Sequence, residues 1–343
     1  MMKKSLIALA VLGASGFAMA QSSVTLYGVA DAGIGKTPGA TLDATTGRIV
    51  TNKAKFQGGT ASVNNGASRV GFTGVEDLGN GNKVGFQFET GLSLEDGAPG
   101  SGGSNNAFWA RQANVYVSGG WGTLKLGRQF AASYLANGVY DLTGQANWSV
   151  LDNTFGGDTY PFRGDSAIAY VTPNMGGFQV AIAYLNKNSG GLNTNATRDR
   201  NGNLVPGVYG KNAWDLGAWY KNAGLSVGLG ANKDVLGTKT NYHVGAKYDF
   251  GSFAAAAGWH KGATKRGFNL GASAKFGAFT VALDAVRVTK DTARVNNKKY
   301  TNYVLEGRYA LSKRTFVYAD VLRLDNVLGK GETGWGLGIR HNF

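Results

Sequence analysis

The sequence predicts an all-β fold, a 16-stranded antiparallel transmembrane β-barrel with long outer loops and short periplasmic turns. Three observations carry that expectation: side-chain alternation with period two, connections that alternate short and long, and a composition suited to twisted strands. The alternation is plainest in residues 333–343, where Thr333, Trp335, Leu337, Ile339, His341 and Phe343 alternate with Gly334, Gly336, Gly338, Arg340 and Asn342. A strand of this kind needs an apolar environment on one face and water on the other. A soluble sheet offers that too. The final aromatic, with the same alternation elsewhere in the chain, points instead to the lipid-facing wall of a barrel.

Composition agrees. Fifty-four Gly and 15 Tyr against 5 Pro favour twisted strands and many turns over helices. The 343 residues include no Cys, so an exported product relies on its hydrogen-bonded sheet and not on disulfides. Export is expected from the N-terminus. Lys3 and Lys4, an apolar run from Leu6 to Phe17, and Ala18-Met19-Ala20 form a charged region, an apolar core and a small-x-small cleavage site. The run is shorter than the about 20 apolar residues of a membrane helix, and no long apolar segment follows Gln21, which excludes a helical membrane protein. Residues 1–20 are expected to be a cleaved secretory signal peptide, whose loss removes two lysines from a net charge of +14; residues 21–343 are expected to form one barrel domain.

The strands follow from the alternation. In 178–184, Phe178, Val180, Ile182 and Tyr184 alternate with Gln179, Ala181 and Ala183, and in 225–231 Leu225, Val227 and Leu229 alternate with Ser226, Gly228 and Gly230. Residues 242–250 set Tyr242, Val244, Ala246, Tyr248 and Phe250 against His243, Gly245, Lys247 and Asp249; residues 268–276 set Phe268, Leu270 and Phe276 against Asn269, Gly271 and Lys275. Lys247, Asp249 and Lys275 are intolerable in lipid, so their parity marks the lumen. Tight turns read at 78–81, 118–120, 174–177, 222–224, 250–252, 276–278 and 311–313. Between them lie polar segments at 34–65, 94–107, 130–162, 188–210, 235–240, 261–266, 291–299 and 325–331. Seven turns and eight outer loops join sixteen strands.

Several blocks resemble the neisserial-type general porins of β-proteobacteria: Gln21-Ser-Ser-Val-Thr-Leu-Tyr-Gly28, Ser68-Arg-Val-Gly-Phe-Thr-Gly-Val-Glu-Asp-Leu-Gly79, Leu124-Lys-Leu-Gly-Arg128, Tyr170-Val-Thr-Pro-Asn-Met-Gly-Gly-Phe178, Leu311-Ser-Lys-Arg-Thr315 and Gly338-Ile-Arg-His-Asn-Phe343. Each block is weak alone; six in the family's order span the mature chain. The resemblance implies a homotrimer in the Gram-negative outer membrane, with the third outer loop folded inward to narrow each pore. Loop 130–162 fits by length, far beyond the about 12–15 residues at which irregular loops become uncommon, although 34–65 is comparable. On strand 23–33 the small residues Gly28, Ala30, Ala32 and Gly33 suit close packing between subunits, and Phe343 is expected to be a lipid-facing residue that serves assembly.

Carried over residue by residue, the family's constriction arginines fall on Arg69, Arg111 and Arg163, and its opposing or flanking acids on Glu89 and Asp141. Arg69 alternates with Val70 and Phe72, Glu89 with Phe88, and Arg163 opposes Ile168 and Tyr170. Arg111 shares the parity of Val115 and Val117, so a bulge is expected between them. Guanidinium keeps its charge at any working pH and holds a fixed donor fork, so a ladder of it sets a permanent positive field in a narrow aqueous channel. The bland alternative is that these arginines merely pair with nearby acids or line a wide vestibule.

Other chemistry finds little support. His243, His260 and His341 are far apart in sequence without metal-ligand spacing, and no cofactor is expected. An outer-membrane hydrolase is the rival from another class, but no Gly-x-Ser-x-Gly elbow occurs and His243 reads as lumen lining. Asp199-Arg-Asn-Gly-Asn203 resembles half a calcium loop, with Leu204 where the turn glycine belongs. Basic residues are dispersed, which argues against nucleic acid. The expected function is passive diffusion of small hydrophilic solutes and ions, with anions preferred. A solute-specific channel is the alternative; it calls for an aromatic ladder, of which only Trp219, Phe316 and Tyr318 have inward parity.

Overall fold

The computed structural model describes residues 23–42, 49–59, 61–99, 107–186, 212–233, 239–294, 297, 299–325 and 331–343. The expected signal peptide and the calcium-like segment at 199–210 lie outside these residues.

Among the described residues nineteen strands run β1 (Ser23–Lys36), β2 (Ala40–Leu42), β3 (Ile49–Thr51), β4 (Lys55–Gln57), β5 (Arg69–Gly79), β6 (Asn82–Gly91), β7 (Gln112–Gly119), β8 (Gly122–Phe130), β9 (Arg163–Val171), β10 (Phe178–Leu185), β11 (Ala213–Asn222) and β12 (Leu225–Lys233). They continue as β13 (Asn241–Asp249), β14 (Phe253–Lys261), β15 (Lys265–Phe276), β16 (Phe279–Asp291), β17 (Tyr300–Ala310), β18 (Thr315–Asp325) and β19 (Gly331–Asn342). Sixteen of them, β1 and β5 to β19, form a closed antiparallel wall in which each pairs with its neighbour in sequence. β1 closes it, pairing with β5 through Ser23–Val29 and with β19 through Val29–Lys36. All backbone donors of the wall are thereby offered partners without a free edge, the condition for a sheet to cross lipid. The remaining three belong to the first outer loop: β2 and β3 form a small ladder, and β4 adds to β1. The seven expected turns all stand at one end.

The outward face repays the alternation. On β13, Tyr242, Val244, Ala246 and Tyr248 are exposed; on β15, Phe268, Leu270 and Phe276 are. Aromatic residues therefore sit at both ends of an aliphatic band, as membrane interfaces require. β1 turns Ala30 and Ala32 outward beside Leu26 and Ile34, whereas Gly33 has the parity of buried Asp31 and faces inward. Only part of that small-residue set is thus available to a neighbouring subunit.

The buried core lies inside the barrel, between the wall and loop 130–162. The loop carries two short helices, α1 (Ala132–Gly138) and α2 (Val150–Phe155), the latter capped by the Ser149 hydroxyl, which accepts from the Asp152 N–H. Tyr140, Trp148, Leu151 and Phe155 pack on Val286, Val288, Val304 and Leu322 of β16 to β18. Full burial of each such side chain is worth about 1.5–3 kcal/mol. α1 lies flush against β11 and β12 because their inward residues are glycines: a Cβ at Gly217 or Gly228 would stand 2.0 Å from the carbonyl oxygens of Ala132 and Ala136. Tyr140 likewise rests on Gly245 of β13 and Gly258 of β14.

The histidines are not separated as their spacing suggests. His243 and His260 are register partners on β13 and β14, with ring centroids 5.7 Å apart, and His260 stacks on Phe155 at 4.3 Å. Nor does His243 line open lumen. It is buried beneath the loop, bonded to the Tyr140 hydroxyl through Nδ1 at 2.9 Å and to the Ser133 carbonyl through Nε2 at 3.0 Å.

Candidate functional site

Because the loop covers the inner face of β11 to β18, the lumen left open is bounded by the loop on one side and by β19, β5 and the ends of β7 to β9 on the other. A cavity of about 410 Å³ occupies it. Its wall side holds Arg69, Arg111, Arg163 and Arg340; its loop side includes Tyr134, Gln145, Asn147 and Asp152. Three of the four arginines are those the sequence singles out.

Arg69 opens β5 and points inward, its Nη1 donating to the Ala67 carbonyl at 3.1 Å. Glu89, 3 % exposed on β6, lies between two of the cations: Oε1 accepts from Arg111 Nε at 2.6 Å, and Oε2 is 3.8 Å from Arg69 Nε. One carboxylate therefore faces two guanidinium groups and leaves net positive charge. It is also shielded from the cavity, since the arginines stand in front of it. Arg111 raised a parity conflict in the sequence. The expected bulge does not exist: β6 and β7 pair without interruption from Glu89–Gln112 to Lys83–Ser118. β7 simply begins at Gln112, so Arg111 precedes the regular strand and its direction is not governed by alternation.

Alternation does not carry to Arg163 either. Pairing of β8 with β9 slips by one residue between Gly127–Ala167 and Gln129–Gly164, where Ser166 adopts a φ of 47°. Arg163 reaches the cavity because β8 and β9 both give way here to the loop; its Nε donates to the Arg111 carbonyl at 2.9 Å and its guanidinium lies over Phe130 at 4.7 Å. Asp141 is placed elsewhere. It is buried within the loop, accepting from Thr143 N and Oγ1, Gln145 N and Ser149 Oγ at 2.7–3.1 Å, and holds the loop's bend instead of facing the cavity.

Arg340 is the residue that the sequence reading missed. It sits in the Gly338–Phe343 block with a parity opposite to Leu337 and Ile339, so its inward direction was legible. Nη1 donates to Asn65 Oδ1 at 2.6 Å. Nearby Arg308 is neutralised by Glu306 at 2.7 Å and donates to the Thr143 carbonyl, tying β17 to the loop. On the loop side, Asp152 accepts from the Tyr160 hydroxyl at 2.9 Å. Burial, with Asp141 adding to it, pushes the Asp152 carboxyl well above the usual carboxylate range. Among the described residues no group of three or more His, Asp or Glu side chains is arranged to hold a metal ion.

The sequence matches the Gram-negative porin family over residues 5–327. It is 30 % identical to outer membrane porin protein 32 of Delftia acidovorans and 28 % identical to the major outer membrane protein P.IB of Neisseria meningitidis serogroup B, in both cases over the whole of each chain. An anion-selective porin from Comamonas acidovorans superposes with a TM-score of 0.72 at 25 % identity, covering 94 % of this chain and all of that one.

Proposed function

Since this chain belongs to the Gram-negative porin family, and is an outer-membrane diffusion channel and not an enzyme, we propose that the arginine-lined cavity is its constriction and that it favours anions. The observation that carries this reading is how the loop partitions charge. The inward acids Asp284, Glu306 and Asp320 are buried in the half of the wall from β16 to β18 that bears the loop's core, whereas Arg69, Arg111, Arg163 and Arg340 line the open half. Low-dielectric walls focus such a field and enrich anions at the narrows. The structural relative described as anion-selective supports the same assignment. A solute-specific channel is less well supported, because Trp219 and Phe316 pack against the loop's core instead of forming a ladder along the cavity. We also infer that the chain assembles as a homotrimer through the outer face around β1, where Ala32, Ile34, Phe56, Leu337 and Ile339 line an apolar groove.

Charge reversal at the wall tests the selectivity. Two unit charges about 8 Å apart interact by roughly 2 kcal/mol at an effective dielectric near 20, so one side chain matters to a passing ion. Arg69→Glu or Arg163→Glu changes the total charge little but should move the zero-current potential in a salt gradient strongly toward cations. Retention of the wild-type potential would refute local control by these residues, and a wild-type channel that prefers cations would refute the anion assignment.

A further inference from the structure

Outside the lumen, at the loop end of the wall, three cations stand opposite one another on neighbouring strands. Lys261 of β14 is in register with Arg266 of β15, and Arg266 with Lys290 of β16, just beyond a one-residue slip in the pairing. Arg287 lies one step nearer the membrane centre on the same face, opposite Phe268. Arg266, Arg287 and Lys290 are exposed. Lys261 Nζ donates to the Tyr242 hydroxyl at 3.1 Å and Arg287 Nη1 to Thr301 Oγ1 at 2.9 Å. Among the described residues no carboxylate pairs with any of the four. Two acids at this end of the wall are otherwise engaged: Asp291 with Arg294, and Asp158 of the long loop with the Thr264 hydroxyl and the Thr264 and Lys265 N–H groups.

Like charges directly opposite across strands destabilise a sheet, and here two such pairs adjoin. Directly beneath them the outward face is apolar, with Phe268 47 %, Leu270 66 % and Leu283 51 % exposed. An occupant that relieves the repulsion and covers that surface has an anionic head and hydrocarbon chains. We propose that Lys261, Arg266, Arg287 and Lys290 form a binding site for the phosphorylated headgroup of an outer-leaflet lipid, whose acyl chains run down Phe268, Leu270 and Leu283. The long-loop end faces the cell exterior in barrels of this kind, which selects the outer leaflet. Guanidinium forks suit phosphate oxygens bidentately, and the lysines add point charges beside them.

The test is native mass spectrometry of the detergent-solubilised channel titrated with purified lipid A. The triple variant Lys261→Gln, Arg266→Gln, Lys290→Gln should bind it about tenfold more weakly, a loss of about 1.4 kcal/mol. Dephosphorylated lipid A should bind the wild type as weakly as lipid A binds the variant. Inorganic phosphate in excess should not displace the lipid. Equal affinity in wild type and variant overturns the proposal; displacement by inorganic phosphate overturns the lipid assignment. All three side chains point away from the lumen, so unchanged single-channel conductance certifies that the variant has folded. Arg266→Gln alone, with a smaller loss in the same direction, serves if the triple variant does not insert.

Discussion

Gly228→Ala puts one methyl group where the wall and the loop touch, and its consequence can be worked from the geometry. The new Cβ would stand 2.0 Å from the Ala136 carbonyl oxygen and 2.9 Å from Val139 Cγ2. Val139 can rotate away; a helix carbonyl cannot. Ordinary contact begins near 3.4 Å, so α1 must lift by roughly 1.4 Å, and the bond between the Ser133 carbonyl and His243 stretches past hydrogen-bonding range. Overpacking costs about 1–3 kcal/mol, and a buried imidazole left without that partner costs a further 1–3 kcal/mol or so. A seven-residue helix covers about 10 Å by 10 Å, so the lift displaces on the order of 140 Å³, about a third of the 410 Å³ cavity that Tyr134 and Leu135 help to line. Single-channel conductance should therefore fall by roughly a third, with added current noise, and the assembled channel should dissociate at a lower temperature on a denaturing gel. Gly120→Ala, where a Cβ meets nothing within 4 Å, is the control. If the Gly228 variant conducts and dissociates like that control, the glycine floor does not set the position of the loop.

Asp152 makes the field pH-dependent. Its carboxyl is held protonated beyond the usual range by burial, so raising the pH through that elevated range adds a negative charge to the cavity; reversal potentials measured from acid to alkaline pH should show anion preference declining, and Asp152→Asn should abolish the decline. Phe343 packs over Gly28, whose backbone N–H donates to the Phe343 carbonyl at 2.9 Å while the Phe343 N–H donates to the Gly28 carbonyl at 3.1 Å. Phe343→Asp should lower the yield of heat-dissociable trimer in outer-membrane fractions and leave export intact; undiminished yield, or a wild-type channel that migrates as a monomer unheated, contradicts this account.

The wall was legible because its constraint is local: each residue of Tyr242 to Tyr248 faces either lipid or the barrel interior, and period two records the choice. Where the backbone leaves that period, the reading weakened. Arg111 lies just before its strand and Arg163 just beyond a bulge, so both reach the cavity for reasons alternation does not encode; the block resemblance located them instead. Arg340 is readable from parity alone, although none of the constriction positions carried over from the family falls on it. Asp141 shows the converse, for a matched position does not reveal that four loop donors will enclose its carboxylate. Where the loop lands was partly written in the chain. Gly217, Gly228, Gly230, Gly245 and Gly258 share the inward face of four successive strands, and inward residues without side chains announce that something else must fill the space.

That landing place bears on selectivity more than the net charge does. The chain carries 35 Lys and Arg against 21 Asp and Glu, but exposed loop charges are screened within about 8–10 Å and act weakly on an ion in the lumen. A constriction responds to the charges that border it. The loop covers β11 to β18, and by covering them it withdraws Asp284, beside Leu142, and Glu306 from the water path; Trp148 of the loop donates its indole N–H to Glu306, which Arg308 already neutralises. The arginines of β5, β9 and β19 and the one preceding β7 line the cavity, and Glu89, which lies between Arg69 and Arg111, is outnumbered by them two to one. The same fold with the loop docked on the opposite wall would bury the arginines and present the acids. On the proposed assignment, anion preference is set by which half of a mixed wall the loop conceals, and a substitution that moves the loop should alter selectivity without touching a charged residue.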